Sequence, residues 1–359
     1  MARKPSLEAS PESDRFEEAP HPRDARALFG HAEAERQLLD AYRSGRLPQA
    51  WIIGGREGVG KATLAWRFAR FLFVHPDPRA SLVQAAGDLS VPFDHPAVRR
   101  VSSLSHGDLA LLRRQWNEKT KKHFTEIRVD DVRDALGLFH HASGEGGWRI
   151  CVIDCAEDLN RSSANALLKI IEEPPPRSLF LMAAHRPAHV LATVRSRSRM
   201  LLLEPLARED VASAVSSLGT PWTDRPRAEI EAAATRSGGS VREALRLLDG
   251  QGLQLTNRIE GMLGRLPRLD WGSVQVLADG VSTRENEQGF ETLLATVYDW
   301  LDARVRGGGE PRQLAPFADA WERIAEAARE VEALNLDRRP FVLTIFEELA
   351  GAVETAGRR

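Results

Sequence analysis

Cysteine is scarce in this sequence: Cys151 and Cys155 are the only two among 359 residues. In an extended segment their Cα atoms would lie about 13 Å apart, which is too far for a disulfide bond. Two cysteines without a nearby histidine pair also fall short of a four-ligand structural zinc site. A disulfide-rich secreted scaffold is therefore excluded, and we expect a cytoplasmic protein.

Long apolar runs and a strong net charge are missing as well. No stretch approaches the roughly 18 apolar residues that cross a bilayer, and the N-terminus has no apolar signal segment. The formal net charge is only −2, which argues against a strongly basic surface that would bind nucleic acid alone. We expect no membrane contact, and contact with DNA only as part of an assembly.

The length predicts several domains, because one domain usually holds about 100 to 200 residues. Charged residues among proline and serine predict a disordered tail over residues 1–24. Short apolar runs, at 51–53, 150–153 and 179–183, alternate with helical patterns over 25–205. This alternation predicts an α/β domain with a parallel sheet. A small helical lid is expected over 206–252 and an all-α domain over 253–359.

A glycine-rich segment, GREGVGK at 55–61, follows the first predicted strand and precedes a helix. This placement makes it a strong match to the first seven positions of a P-loop. Gly55, Gly58 and Gly60 would let backbone N–H groups close around phosphate oxygens, and Lys61 would reach the outer phosphates. The segment predicts a site for a nucleotide such as ATP.

Three positions that a hydrolysing P-loop ATPase needs are changed. Ala62 replaces the Ser or Thr whose hydroxyl coordinates Mg²⁺. Asp154 ends a strand of the Walker B type, but Cys155 stands where a Glu would polarise the attacking water, and a thiol is a poor substitute for that base. The polar sensor of such ATPases would fall on Ala184 or His185, and we favour Ala184 as the aligned position. Phosphate binding is left open by these changes, whereas hydrolysis should suffer.

Two downstream motifs resemble the AAA+ subunits of bacterial DNA polymerase III clamp loaders. The stretch SANALLKIIEEPP at 163–175 is similar to the sequence that follows Walker B in this family. The stretch TVRSRSR at 193–199 is similar to the family's Ser-Arg-Cys element, with Ser198 in place of Cys. Arg197 then stands at the position of the arginine finger. With the degraded ATPase positions, the resemblance is to the delta-prime branch of the family.

This resemblance implies a AAA+ P-loop domain, a lid and a helical collar that holds a ring of subunits. The implied partners are the gamma/tau and delta subunits, the beta sliding clamp, and primed DNA through the assembled complex. Many members carry a four-cysteine zinc module, but residues 73–94 contain no cysteine, so we expect no zinc.

The lid sequence GSVRE at 239–243 resembles the family's sensor 2 motif, which implies that Arg242 contacts nucleotide phosphate. Ser240 and Glu243 also form a capping box at a helix start, so a purely structural role is the alternative.

Three functions remain open from the sequence. The first is a non-catalytic clamp-loader subunit that supplies Arg197 to a neighbour's site, since such arginines are known to act in trans. The second is an active AAA+ ATPase of a replication or repair complex that tolerates Ala62 and Cys155. The third is a scaffold in which neither nucleotide nor Arg197 matters.

Overall fold

The computed structural model describes residues 11–16, 19–140, 144, 147–249, 252–283, 286–308, 310–334 and 336–357. The chain divides into two compact units, Met1–Leu245 and Arg246–Arg359. The finer division at 206 and 253 remains a prediction, and Gly250 at the expected linker lies outside the described residues.

A five-stranded parallel sheet forms the centre of the first unit, in the order β2-β5-β6-β1-β7. A separate antiparallel pair is made by β3 and β4. The strands are β1 (Ala50–Gly54), β2 (Leu109–Arg113), β3 (Trp116–Asn117), β4 (Lys122–His123), β5 (Arg149–Asp154), β6 (Ser178–Ala184) and β7 (Arg199–Leu202). The three strands predicted from buried apolar runs are confirmed as β1, β5 and β6.

Helices cover both faces of this sheet. All α-helices up to residue 248, whether or not they cover the sheet, are in chain order α1 (Ala32–Arg43), α2 (Lys61–Val74), α3 (Ser81–Ala85), α4 (Pro96–Ser102), α5 (Val129–Leu136), α6 (Arg161–Glu172), α7 (Ala192–Arg195), α8 (Arg208–Ser216), α9 (Arg227–Arg236) and α10 (Val241–Leu248). One core contains Ile53 and Val152 with side chains of α1 and α2. The other contains Ile52 and Ile153 with side chains of α5 and α6. Since successive strand residues enter opposite cores, the central strands are apolar throughout.

The start and end of α6 are fixed locally. Asn160 precedes the helix, and its side chain accepts a hydrogen bond from the backbone N–H of Ser163, as expected of an N-cap. Three prolines at 174–176 cannot continue the helix, because proline lacks a backbone N–H and restricts the residue before it. The helix therefore ends at Glu172, whose side chain is exposed.

The second unit is helical throughout its described residues. Its helices are α11 (Gly252–Leu263), α12 (Trp271–Val281), α13 (Glu287–Arg306), α14 (Pro311–Ala333) and α15 (Arg338–Gly357). They share one core in which Leu293, Val342 and Phe346 are fully buried. The predicted fold class, an α/β P-loop domain followed by helices, is confirmed.

The N-terminal segment corrects one expectation. A disordered tail was predicted over 1–24, but residues 11–16 and 19–24 pack against the first unit. Asp14 lies 2.6 Å from Nη1 of Arg113, and Glu12 lies 2.9 Å from Nη1 of Arg23. His21 is 2% exposed. Residues 1–10 and 17–18 lie outside the described residues.

Candidate nucleotide pocket at the carboxyl edge of the sheet

The carboxyl ends of three neighbouring strands bring the candidate site together. The P-loop follows β1, Asp154 ends β5, and His185 follows β6. Pairing in register sets Gly54 beside Ala184, and Ala183 beside Asp154. Ligands bind at this edge in open α/β sheets, because the loops beyond the strand ends converge there.

Two glycines of the P-loop adopt backbone conformations that other residues rarely reach. Gly58 has φ +77° and Gly60 has φ +107°. A Cβ on Gly58 would also collide with Ser240 and Arg242 of the lid. The N–H of Val241 donates to the carbonyl oxygen of Gly58 at 2.9 Å, so the loop and the start of α10 are bonded directly.

The side chain of Lys61 is hydrogen-bonded to the backbone of its own P-loop. Its Nζ donates to the carbonyl oxygens of Gly55 at 2.8 Å and Arg56 at 2.7 Å, and the residue is 3% exposed. Burial lowers the pKa of Lys61 from its ordinary value, while the nearby carboxylates of Asp154 and Glu57 oppose that shift. The ammonium group thus has protein partners of its own.

Five of the six sequence-predicted nucleotide residues line one pocket of about 440 Å³, which we call the phosphate-loop pocket. Its walls include Gly58, Gly60, Lys61, Asp154 and Arg242. The sixth residue, Gly55, is not part of this wall. Its carbonyl oxygen accepts a hydrogen bond from Nζ of Lys61. The prediction that these residues lie together is consistent with this geometry, whereas their binding of nucleotide remains a prediction.

The pocket fits a phosphate group better than it fits a magnesium nucleotide. The glycine conformations, Lys61 and Arg242 are suited to phosphate oxygens. Ala62 lines the pocket but offers no hydroxyl to Mg²⁺. Burial and the nearby carboxylate of Asp14 raise the pKa of Asp154 to about 7, although Lys61 acts in the opposite direction. A metal-binding carboxylate is normally ionised, so this environment is poor for the usual Walker B role unless a cation is present.

The other two changed positions are also without catalytic groups. Cys155 is buried in the pocket wall, and burial together with Glu157 raises the pKa of its thiol. The uncharged thiol is not a base for water. Ala184 is fully buried and has only a methyl group to offer.

Several wall residues were not found by the sequence reasoning. Asp14 and Phe16 of the N-terminal segment line the pocket, and so does His185, which the sequence offered only as the alternative sensor position. The guanidinium of Arg242 lies 5.4 Å from the ring centroid of Phe16, and its Nε lies 3.2 Å from Oε1 of Glu57. The charged run around Asp14 was the available signal, but its partner Arg113 lies 99 positions later.

Comparisons with known proteins agree with the motifs. The family model described as "DNA polymerase III, delta subunit" matches residues 30–207. DNA polymerase III subunit delta' of Pseudomonas aeruginosa is 28% identical over 269 residues, 74% of this chain and 74% of that protein. The delta' subunit of Yersinia pestis is 29% identical over 77% of this chain and 76% of that protein. The tau subunit of Escherichia coli is 27% identical over 67% of this chain and 35% of that protein.

The chain is similar to this family of DNA polymerase III subunits over residues 30–207. Its matched region spans the P-loop, both strand-end positions of the pocket, and the two motifs that first indicated the family. Within the part of the chain that the structure describes, no helix is long and apolar enough to cross a membrane.

Arg197 lies outside the phosphate-loop pocket. It stands between α7 and β7, and its side chain is 42% exposed. Its Nε lies 2.6 Å from Oε1 of Glu172, and its Nη1 donates to the carbonyl oxygen of Thr193 and to Oγ of Ser196, both at 3.2 Å. The candidate finger is therefore separate from the walls of its own chain's pocket, and it is accessible to solvent.

Proposed function

We propose that this chain is a clamp-loader subunit of DNA polymerase III that supports ATP-dependent loading of a sliding clamp onto primed DNA without hydrolysing ATP itself. The family match and the delta' relatives support the clamp-loader assignment. The observation that carries the non-catalytic part is the pocket wall, where Ala62 and Cys155 replace the magnesium ligand and the water-activating base.

The second part of the proposal concerns Arg197, which would act on nucleotide bound by a neighbouring subunit. An arginine that stabilises phosphoryl transfer in trans must be exposed and must point away from its own nucleotide pocket. Arg197 meets both requirements, because it is 42% exposed and absent from the pocket wall. Its contact with Glu172 would hold it in place until the neighbour's phosphate is available.

The partners follow from the same assignment. Gamma/tau and delta subunits would complete the ring, the beta sliding clamp would be its cargo, and primed DNA would be held by the assembly as a whole in the cytoplasm. The helical second unit, with its single continuous core, is a suitable collar for such a ring. A net charge of −2 fits a subunit that does not bind DNA alone.

Reconstitution tests this proposal. The untagged chain is mixed with purified delta, gamma/tau and beta clamp, and the loading of labelled clamp onto primed DNA is measured with and without it. Loading should require the chain, which should coelute with delta and gamma/tau. Loading that is equally fast without it would overturn the assignment, and ATP turnover by the isolated chain would favour the active-ATPase alternative.

A further inference from the structure

A mixed group of metal-binding side chains lies at the position where a hydrolysing relative would hold its magnesium. Asp154, Cys155 and His185 each offer one donor atom, and the three atoms lie within 4.8 Å of one another. We propose that this Asp-Cys-His cluster binds a transition-metal dication of the zinc class. The inference is independent of the clamp-loader assignment.

The donor types select the ion. A thiolate and an imidazole favour Zn²⁺ and Co²⁺, whereas Mg²⁺ prefers oxygen ligands in an octahedral arrangement. Donors around tetrahedral zinc lie about 3.3 to 3.8 Å apart, so the side chains need to close by at most about 1.5 Å. Small side-chain rotations supply such a movement.

The backbone already sets the three donors close together. Asp154 ends β5 and is paired with Ala183, which lies two residues before His185 on the adjacent strand β6 and its extension. Cys155 follows Asp154 directly. Two neighbouring parallel strands thus carry the whole donor set, and no movement of a loop is needed to assemble it.

Unpartnered buried atoms give a second, independent indication. Nδ1 of His185 is buried, and the described residues offer it no hydrogen-bond partner. Oε1 of Glu157 accepts hydrogen bonds from the backbone N–H groups of His185 at 2.8 Å and Arg186 at 2.9 Å, while its Oε2 is buried without a partner in the described chain. A buried polar atom without a partner costs free energy that a bound ion would remove. Glu157 would serve as the carboxylate that positions His185.

The charge of the surroundings favours a cation. Asp14 and Glu157 line the same pocket as Asp154, and Lys61 directs its ammonium to the carbonyl oxygens of Gly55 and Arg56. A dication would reduce the repulsion between these carboxylates. Three protein ligands leave a fourth position on zinc open to water or to a phosphate oxygen.

This site differs from the four-cysteine module that was considered from the sequence. That module would need cysteines in 73–94, where there are none. The cluster lies in the phosphate-loop pocket and has one sulfur donor. The proposal departs from the expectation of no zinc, which rested on the missing cysteines of that module. The cluster was not recognised in the sequence because its histidine lies thirty positions after the cysteine.

Cobalt titration of the untagged, chelator-treated full chain tests the proposal. Co²⁺ should produce a near-ultraviolet thiolate charge-transfer band and intense visible bands of a four-coordinate ion. Stoichiometric Zn²⁺ should displace it, and excess Mg²⁺ should not. Cys155→Ser should lose the thiolate band, whereas Cys151→Ala, the matched control in β5, should keep it. Glu157→Gln should weaken Zn²⁺ binding by about 10- to 100-fold.

Circular dichroism establishes that each variant is folded, and His185→Ala provides a second ligand variant should Cys155→Ser unfold. A wild-type chain that gives no thiolate band would overturn the proposal. An undiminished band in Cys155→Ser, or equal loss in Cys151→Ala, would do the same. None of these outcomes changes the reconstitution result, so the two proposals fail separately.

Discussion

Nε of Arg197 lies 2.6 Å from Oε1 of Glu172, which links the segment between α7 and β7 to the last residue of α6. The two side chains are 42% and 47% exposed. An exposed ion pair contributes about 0 to 1 kcal/mol to stability, so the contact orients the guanidinium more than it stabilises the fold. Arg197 can therefore exchange Glu172 for a phosphate group at small cost.

Arg197→Ala should leave folding and ring assembly intact while it lowers DNA- and clamp-stimulated ATP hydrolysis by the complete loader. An arginine finger contributes about 10³ to 10⁵ in kcat, but only the one site that faces this subunit should lose that factor. Steady-state phosphate release by the loader measures the effect. Arg195→Ala is the charge-matched control, and equal effects of both changes would mean that Arg197 is only part of a basic surface.

Glu172→Gln should give a smaller loss in the same assay, because the guanidinium stays present but is no longer held. Adding this change to Arg197→Ala should produce no further loss, since the two residues act through one contact. Glu173→Gln is the control one position later. Additive losses in the double variant would show that Glu172 acts independently of Arg197.

Lys61→Ala should leave the ATP turnover of the isolated chain at background, where we also expect the wild type to stand. It should also lower the free energy of unfolding by about 1.5 to 3 kcal/mol without nucleotide, because two carbonyl oxygens lose a charged donor. Thermal denaturation measures this loss, with exposed Arg56→Ala as the control. Wild-type turnover that disappears in Lys61→Ala would instead establish an active ATPase.

The N-terminal segment should be held less tightly in acid. Burial opposes ionisation of Asp14, yet His21 and Arg113 hold the pKa of that carboxyl below its ordinary 3.8. A lowered carboxyl pKa contributes stability that is present above pH 3.8 and is lost as the pH falls through the folded-state pKa. Asp14→Asn should therefore lower the Tm clearly near neutral pH and progressively less below about pH 4.

Thermal melts of the wild type and Asp14→Asn across that pH range give the comparison, and Asp224→Asn, at an exposed position, is the control. A Tm difference that stays constant down to about pH 2 would show that the charge of Asp14 contributes nothing.

Truncation near residue 250 should leave a folded first unit that cannot join the loader. The first unit has its own two cores on the faces of one sheet, so it has the elements of an independent domain. The proposed collar would be absent. Size-exclusion chromatography with delta and gamma/tau measures the loss, and full coelution of the truncated chain would place assembly elsewhere.

The central strands were predictable because burial on both faces makes them continuously apolar. Ile52 and Ile53 enter opposite cores, and the sequence around them is correspondingly apolar. The edge strand β2 was missed, since its residues alternate between buried and half-buried positions. The edge strand β7 was missed as well, since it is short and begins with the charged, exposed Arg199.

The errors at the site have a different cause. Asp14 was assigned to a disordered tail because its partner Arg113 lies 99 positions later, and local composition carries no information on such a pair. Cys155 was interpreted only as the loss of a glutamate. Its proximity to His185 depends on strand order, which the apolar pattern does not specify.

The closure of Lys61 on the carbonyl oxygens of Gly55 and Arg56 bears on how ATPases are counted in genomes. A lysine that completes its own loop can be kept by selection for folding after hydrolysis has been lost. Surveys that treat every subunit with the glycine-lysine signature as an ATPase would then overestimate the number of ATP molecules that a complex hydrolyses in one reaction cycle. A survey that also considers the residue after the lysine, here Ala62, would assign this chain to the subunits that do not hydrolyse ATP.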